Sequence, residues 1–323
     1  MATEVTDSIA AARPGVLFLV ATPIGNLGDL GERARGLLRD ADLLLAEDTR
    51  HTQQLLNAVG IPRAPSTLES LHEHNERARA ARIVERLLAG ATVALVSDAG
   101  TPLVSDPGSP LVQAAIAAGI EVVAVPGPCA AIAALTVSGL PSDRFAFEGF
   151  LPAKPAARRK ALEALAPGTR TLVFYEAPHR LKESLDDLAA VLGAARPAAV
   201  VREITKLHEQ AYRDTLGALA GRAERDVDMC RGEAVVVVQG ADGRRLEVVE
   251  LPAPGRPGIR GDGPGQQHES DRQDDVEDAH ARSSNVRLRH EASTTVMELA
   301  GMRMAASRGL IQPPIASAAP ATL

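Results

Sequence analysis

Residues 92–108 read TVALVSDAGTPLVSDPG, an apolar run that breaks into a loop of glycine, proline, serine and aspartate. The run at 92–96 is too short for a buried helix and is bounded by turn residues, so it reads as a strand covered on both faces. Helical periodicity resumes at 109–118, directly after Gly108. Runs of the same kind occur at 16–21 (VLFLVA), 43–46 (LLLA) and 121–125 (EVVAV), with helical patterns at 29–39 and 75–88 between them. Apolar strands alternating with helices predict an α/β domain with a mostly parallel sheet and helices on both faces.

Past residue 140 the texture changes. Pro141-Ser142-Asp143 breaks the chain, and 144–150 (RFAFEGF) places aromatics at alternating positions, as a strand does. A helix at 156–165, a strand at 171–175, a helix at 180–192 and strands at 198–202 and 234–239 complete a second α/β unit. The expected organisation is an N-terminal tail 1–13, an α/β domain 14–140, a second α/β domain 141–243 with a parallel or mixed sheet, and a low-order tail 244–323. The tail expectation rests on composition: 251–265 holds nine Gly or Pro, and 269–278 holds six acids, too little apolar surface to offset ordering entropy. One marginal helix is expected at 294–310.

Composition narrows the function. The 323 residues are 45% hydrophobic, enough for two cores, and all seven aromatics lie between Phe18 and Tyr212. A net charge of −6 argues against nonspecific coating of nucleic acid, while leaving room for a local basic groove. Arginine outnumbers lysine 31 to 4, which reads as genomic base composition rather than as a binding signature. Cys129 and Cys230 stand far apart in no metal-ligand spacing, so neither a disulfide framework nor a zinc site is indicated. Residues 1–13 lack an apolar run of signal length and no stretch of eighteen apolar residues occurs, so the expectation is cytoplasmic, without a membrane span.

Three loops follow three expected strands: 22–27 (TPIGNL), 97–108 (SDAGTPLVSDPG) and 126–129 (PGPC). Ligands of open parallel sheets bind at the carboxyl ends of strands, so all three sit on one functional edge. G-x-G-x-x-G and G-x-x-x-x-G-K-[ST] are both absent, which leaves a dinucleotide or triphosphate cradle unsupported. Asp98 and Asp106, set among small residues, suit a ligand with amine, hydroxyl and adenine-edge groups instead.

The runs VATPIGNLGDL (20–30), AEDTRHT (46–52), HEHNE (72–76), ALVSDAGTPLVSDPG (94–108), VPGPCAAIAAL (125–135), SGLPSDRFAFEGFLP (138–152), FYEAPHR (174–180) and REITKLHE (202–209) closely resemble the bacterial ribosomal RNA small-subunit methyltransferase I family. That family lies within the tetrapyrrole-methylase-like superfamily of S-adenosylmethionine (SAM) dependent enzymes. The resemblance covers about residues 14–240, with the eight blocks in order. It implies two α/β domains with SAM in the cleft between them, a homodimer, and 2′-O-methylation of a cytidine ribose in the decoding region of 16S ribosomal RNA. Carried over block by block, it assigns donor binding to Pro23, Gly25 and Asn26; to Asp98, Ala99, Gly100, Thr101, Val104, Ser105 and Asp106; to Pro126, Gly127 and Pro128; and, from the second domain, to 150–152 and 176–178, including Ala177. The family continues past its last strand into a short lysine-containing helical segment, whereas this chain passes from Leu246 into the Gly/Pro-rich and acidic tail. A natural extension and a shifted reading frame both fit.

Methyl transfer from a sulfonium to a hydroxyl is an in-line displacement. Positioning can supply about 7–11 kcal/mol, and a base for the hydroxyl proton adds roughly 10²–10⁴-fold; no metal is needed. Candidates for base or ribose positioning are Asp48, Arg50 and His51; His72, Asn75 and Glu76; Glu176 and His179; and Arg202, Glu203 and Lys206, with Lys206, Glu203, Arg202 and Asn75 foremost. Asn75 also reads as a helix cap, with Glu76 in the first turn. Arg202, Glu203 and Lys206 also read as a solvated salt-bridge set. Lys154, Arg158, Arg159 and Lys160 form a basic patch suited to an RNA backbone or to a plain solvated helix face, and Arg50 and His72 join the RNA candidates. Two other functions compete: C-methylation of a tetrapyrrole precursor, disfavoured by AEDTRHT, HEHNE and FYEAPHR, and a non-catalytic RNA-binding or ribosome-assembly protein, disfavoured by the intact donor loops.

Overall fold

A computed structural model describes residues 15–241; the expected tails at 1–13 and 244–323, with the helix at 294–310, lie outside them. The first sheet holds β1 (Val16–Val20), β2 (Leu43–Ala46), β3 (Leu68–Ser70), β4 (Val93–Val96) and β5 (Glu121–Val125) in the order β3-β2-β4-β1-β5. Every pairing in it is parallel. Because side chains alternate across a strand, the apolar runs feed two cores. Val16, Phe18, Val20, Leu44 and Ala46 pack on one face, with Leu37 and Leu38 of α1 (Glu32–Asp40) and Leu55 and Leu56 of α2 (Thr49–Ala58). Leu17, Leu43, Leu45, Val93 and Leu95 pack on the other, with Ile83 and Leu87 of α3 (Glu76–Leu88) and Leu111 and Ala115 of α4 (Ser109–Ala117). Truncating one such leucine to alanine costs about 2–5 kcal/mol.

The helix expected at 29–39 is split. The Asn26 side chain accepts from Gly28 N and caps a 3-10 turn at Leu27–Asp29, and α1 starts only at Glu32. Helix α2 was not expected; Asp48 caps it, accepting from Arg50 N at 2.8 Å.

The second sheet holds β6 (Phe145–Phe150), β7 (Thr171–Glu176), β8 (Pro197–Arg202), β9 (Gln210–Thr215) and β10 (Ala234–Val238) in the order β6-β7-β10-β8-β9. It is mixed: β6 and β7 run parallel, and the other pairings are antiparallel. One face is covered by α6 (Pro155–Leu165), α7 (Leu181–Leu192) and α8 (Leu216–Ala223), with Leu181, Leu185, Leu188 and Leu192 forming the buried stripe of α7. The other face is covered by α5 (Ala130–Ser138), whose Ala131, Ala134 and Leu135 pack on Val173, Ala199, Val201, Val235 and Val237. Thus α5 leaves the first sheet and docks on the second, fixing how the edges of the two sheets meet.

The alternation of RFAFEGF is interrupted. Phe147 pairs with Val173 and Phe150 with Tyr175, with a register shift between Phe147 and Gly149. Gly149 takes φ +64°, the left-handed value a bulge uses. The extra residue returns both phenylalanines to one face, where they meet the Tyr175 ring edge-on at centroid distances of 4.8 and 5.6 Å.

Candidate active site

The loops after β1, β4 and β5 are stitched together. Thr22 and Gly100 exchange backbone hydrogen bonds of 2.9 and 3.1 Å, and Thr22 Oγ1 donates to Ser97 O at 3.0 Å. Thr101 Oγ1 donates to Pro128 O at 2.9 Å, tying the second loop to the third. The second sheet reaches the same edge at three points. Tyr175 Oη accepts from Ala131 N at 3.2 Å. The α-carbon of Gly149 lies so close to Ser105 that a Cβ there would stand 3.5 Å from its Oγ. The stem of Lys206 lies on Gly25, where a Cβ would overlap Lys206 Cγ. Pro23, Gly25, Asn26, residues 98–106 and Pro126-Gly127-Pro128 are therefore gathered on one edge. Ala177 is buried at the end of β7, its N–H given to Glu176 Oε1 at 2.9 Å.

Carboxylates concentrate there. Ser97 Oγ donates to Asp106 Oδ2. Asp98 accepts from Asp48 N at 3.1 Å through Oδ1 and faces His51 Nδ1 at 3.0 Å through Oδ2. Burial pushes the Asp106 carboxyl up to about 6 against the pull of the Ser97 hydrogen bond. Burial also raises Asp98, with His51 opposing. Burial and the charges of Asp98, Asp106 and Glu73 push Glu47 up to about 7. Such a cluster favours a cationic ligand, which SAM is at both its sulfonium and its ammonium. The donor set and the glycine-lined approach fit it.

A second polar knot follows β8. Lys206 Nζ donates to Glu203 Oε1 at 3.0 Å and to Glu233 Oε2 at 2.9 Å, and the side chain is 7% exposed. Burial alone would lower the lysine, but Glu233 and Glu203 outweigh it and hold the ammonium above its ordinary range. Lys206 is thus a fixed cation at neutral pH and not a proton acceptor. Arg202 is buried, its guanidinium spent on Arg231 O at 3.0 Å and His208 O at 3.3 Å. The non-glycine residues with left-handed φ among the described residues, Leu103 and Ser105 in one segment and Glu203 and Thr205 in the other, fall within the loop after β4 and this knot. Backbone strain of about 1–3 kcal/mol per residue collects at such positions when the surroundings enforce it.

The remaining candidates are dispersed. Asn75 occupies the N-cap position of α3 without a side-chain capping bond; its Oδ1 accepts from His72 N at 2.9 Å, and its Nδ2 contacts His72 Nε2 at 3.0 Å. This run is linked to the loop after β4 by Glu76, which accepts from Gly108 N at 2.6 Å. Glu176 is buried and accepts from Ser184 Oγ at 2.5 Å, a structural role, and His179 is exposed. Arg50 is exposed beside Asp48. Lys154 at the N-cap of α6 and Arg159 and Lys160 on it are exposed, Arg159 also donating to Asp187 Oδ1 at 2.6 Å, but Arg158 is 1% exposed and donates to Asp187 Oδ2 at 2.6 Å. Its side chain turns inward from the helix, so Arg158 is removed from the basic patch. Glu47 and Glu233 are absent from the sequence-derived set. Glu47 sits within the AEDTRHT run, whereas Glu233 carries no motif signal.

Among the described residues no group of three or more His, Cys, Asp or Glu is placed to hold a metal, and no helix is long and apolar enough to cross a membrane. The family model of tetrapyrrole (corrin/porphyrin) methylases matches residues 16–220. The chain is 58% identical over 228 residues to "Ribosomal RNA small subunit methyltransferase I" of Xylella fastidiosa (strain Temecula1), covering 71% of this chain and 82% of that protein. It is 54% identical over 226 residues to the protein of the same name from Pseudomonas aeruginosa, covering 70% and 79%. A crystal structure of diphthine synthase superposes with a TM-score of 0.52 at 16% identity, over 70% of this chain and 90% of that one, a likeness of fold. Since the matched span takes in the whole first sheet, the three stitched loops and most of the second sheet, the chain belongs to the tetrapyrrole (corrin/porphyrin) methylase family.

Proposed function

We propose that this SAM-dependent methyltransferase transfers the methyl group to the 2′-hydroxyl of a cytidine ribose in 16S ribosomal RNA of the small subunit. The observation that carries the reading is the 58% identity over 228 residues to a ribosomal RNA small-subunit methyltransferase, beside a family match over 16–220 that holds all three loops of the edge. When bound, SAM supplies an activated methyl group. The chain supplies position: the loops at 22–27, 97–106 and 126–128 hold the donor, the acid cluster neutralises its positive charges, and the Lys206 clamp fixes the first loop. The exposed Lys154, Arg159 and Lys160 on α6 and Arg50 on α2 are available to ribosomal RNA phosphates. Asn75, Arg202 and Glu203 act as positioning residues for the loops around the acceptor. Residues 14–140 and 141–243 serve as the two domains that flank the cleft. The enzyme works in the cytoplasm as a homodimer, a reading supported by Ile132 of α5 and Phe145 of edge strand β6, 45% and 37% exposed.

The test is transfer of label from SAM to small subunits that lack the modification, with the modified nucleotide mapped. Label on one cytidine ribose is the expected result; label on a tetrapyrrole precursor instead, or on neither, overturns the reading.

A further inference from the structure

The helix α2 begins at Thr49, and its first turn carries His51 to the end of β4, because β2 and β4 are neighbours paired Ala46 to Val96. There His51 Nδ1 stands 3.0 Å from Asp98 Oδ2. The carboxylate is held from its other side, Oδ1 accepting from Asp48 N at 3.1 Å. Asp48 in turn is fixed by capping the same helix and by Arg50 Nη2 at 3.1 Å. The imidazole is therefore oriented by a carboxylate that is itself oriented, the arrangement that makes a histidine a directed proton acceptor. With Nδ1–H donated to Asp98, the Nε2 lone pair is the accepting one. The His51 side chain is 12% exposed, and no described side chain partners Nε2. Asp98 lies in the donor loop, one residue from Ser97, whose hydroxyl bonds Asp106.

Three of the foremost candidates are occupied. Lys206 is a cation clamped by two carboxylates, Arg202 is spent on backbone carbonyls, and Asn75 is bound to His72.

We infer that His51, oriented by Asp98, is the general base that takes the 2′-hydroxyl proton of the acceptor ribose. The inference rests on the ribose-methylation reading above. In the step, the bond from the 2′-oxygen to the methyl carbon forms as the carbon–sulfur bond breaks, and the electron pair leaves on sulfur. The hydroxyl proton passes to His51 Nε2 and from there to water. No oxidant or further reactant is needed. The charged and titratable groups around the dyad are Asp98 on the β4 loop, Glu47 and Asp48 after β2, Arg50 on α2, and Asp106 and Glu73 at the neighbouring edge.

The test uses the full chain, labelled SAM and unmodified small subunits, with His51→Asn and His51→Ala. Asparagine can keep a hydrogen bond to Asp98 but offers no basic nitrogen. His51→Asn is expected to lower kcat by about 10²–10⁴-fold, with SAM affinity by calorimetry within about twofold of wild type. Added imidazole is expected to restore part of the His51→Ala turnover, which a merely structural histidine would not show. Wild-type turnover in His51→Asn, or a loss of turnover matched by an equal loss of SAM affinity without imidazole rescue, overturns the inference alone. Wild-type enzyme that labels no RNA overturns the ribose reading and this inference with it. Glu47→Gln is the second arm: if that variant, and not His51→Asn, abolishes the acidic limb of the pH–rate profile, where a general base is lost to protonation, the proton goes to Glu47 instead.

Discussion

Replacing Asp106 by asparagine is expected to stabilise the protein at neutral pH. Asp106 lies in the loop after β4, its pKa pushed from the usual 3.8 up to about 6, with burial the leading cause, the Ser97 hydroxyl opposing and Asp98 adding repulsion. The folded state thus prefers the protonated acid. For a group whose folded pKa is raised, the favourable contribution is complete below the unfolded value and is lost as pH rises through the window between the two. Here that window runs from 3.8 to about 6. A shift of about two units corresponds to about 3 kcal/mol, of which about 1.5 kcal/mol falls between pH 5 and pH 7.5. Asparagine keeps an acceptor for Ser97 Oγ and carries no charge to desolvate. In urea unfolding without ligand, Asp106→Asn is expected to exceed wild type by about 2–3 kcal/mol at pH 7.5, by less at pH 5, and by almost nothing at pH 4. On the proposed donor site, the same variant is expected to bind SAM more weakly by calorimetry, because the charge that is costly to bury is then the one that would offset the ligand's positive charge. Asp106→Asn no more stable than wild type at pH 7.5, or a gain independent of pH, refutes the reasoning.

Lys206→Met keeps the stem over Gly25 but leaves Glu203 and Glu233 uncompensated, at a cost of about 3 kcal/mol. Since the Lys206 pKa is raised, its contribution persists until pH passes the folded value above 10.5, so the deficit measured by urea unfolding is flat from pH 6 to 9. Gly25→Ala sets a side chain at φ +149° against the Lys206 stem and is expected to weaken SAM binding at least about tenfold by calorimetry, from about 1–3 kcal/mol of backbone strain. Gly31→Ala, with nothing within 4 Å, leaves binding unchanged. Arg158→Met removes the buried partner of Asp187, which keeps the exposed Arg159 at 2.6 Å, and is expected to cost about 1–3 kcal/mol in urea unfolding. The double variant Lys154→Ala with Lys160→Ala stays within about 0.5 kcal/mol of wild type in unfolding and flattens the salt dependence of binding to small subunits.

The strands most plainly announced by the sequence are buried ones: β1, β2, β4 and β10 are near-continuous apolar runs because helices cover both faces. Strands β5 and β6 are less buried and were legible from the apolar run EVVAV and from alternating aromatics. The elements that escape notice are those whose pattern is diluted. Strand β3 is three half-buried residues, Leu68-Glu69-Ser70. Strand β9 buries only Tyr212 fully, so its alternation is faint. Helix α2 opens on the polar run Thr49-Arg50-His51-Thr52, which reads as loop chemistry although Asp48 was available as its cap. Helix α5 is apolar on every side and so shows no stripe.

The site divides in the same way, and the division has a cause. The loops at 22–27, 97–108 and 126–129 were legible because each is local: a strand end followed by residues whose backbone a ligand can approach. The chemistry between them was not, since it is made by pairings no short window contains. Glu233 meets Glu203 and Lys206 because β10 runs antiparallel to β8 with Ala234 opposite Arg202, a register decided by the apolar run AVVVV and not by the glutamate. His51 meets Asp98 across 47 residues only because β2 lies beside β4. The same sheet order that the apolar runs dictate therefore determines which polar residues can act as pairs. A histidine four positions after Glu47 becomes an oriented acceptor, and a lysine three positions after Glu203 becomes a fixed cation, through strand neighbours rather than through their own sequence surroundings.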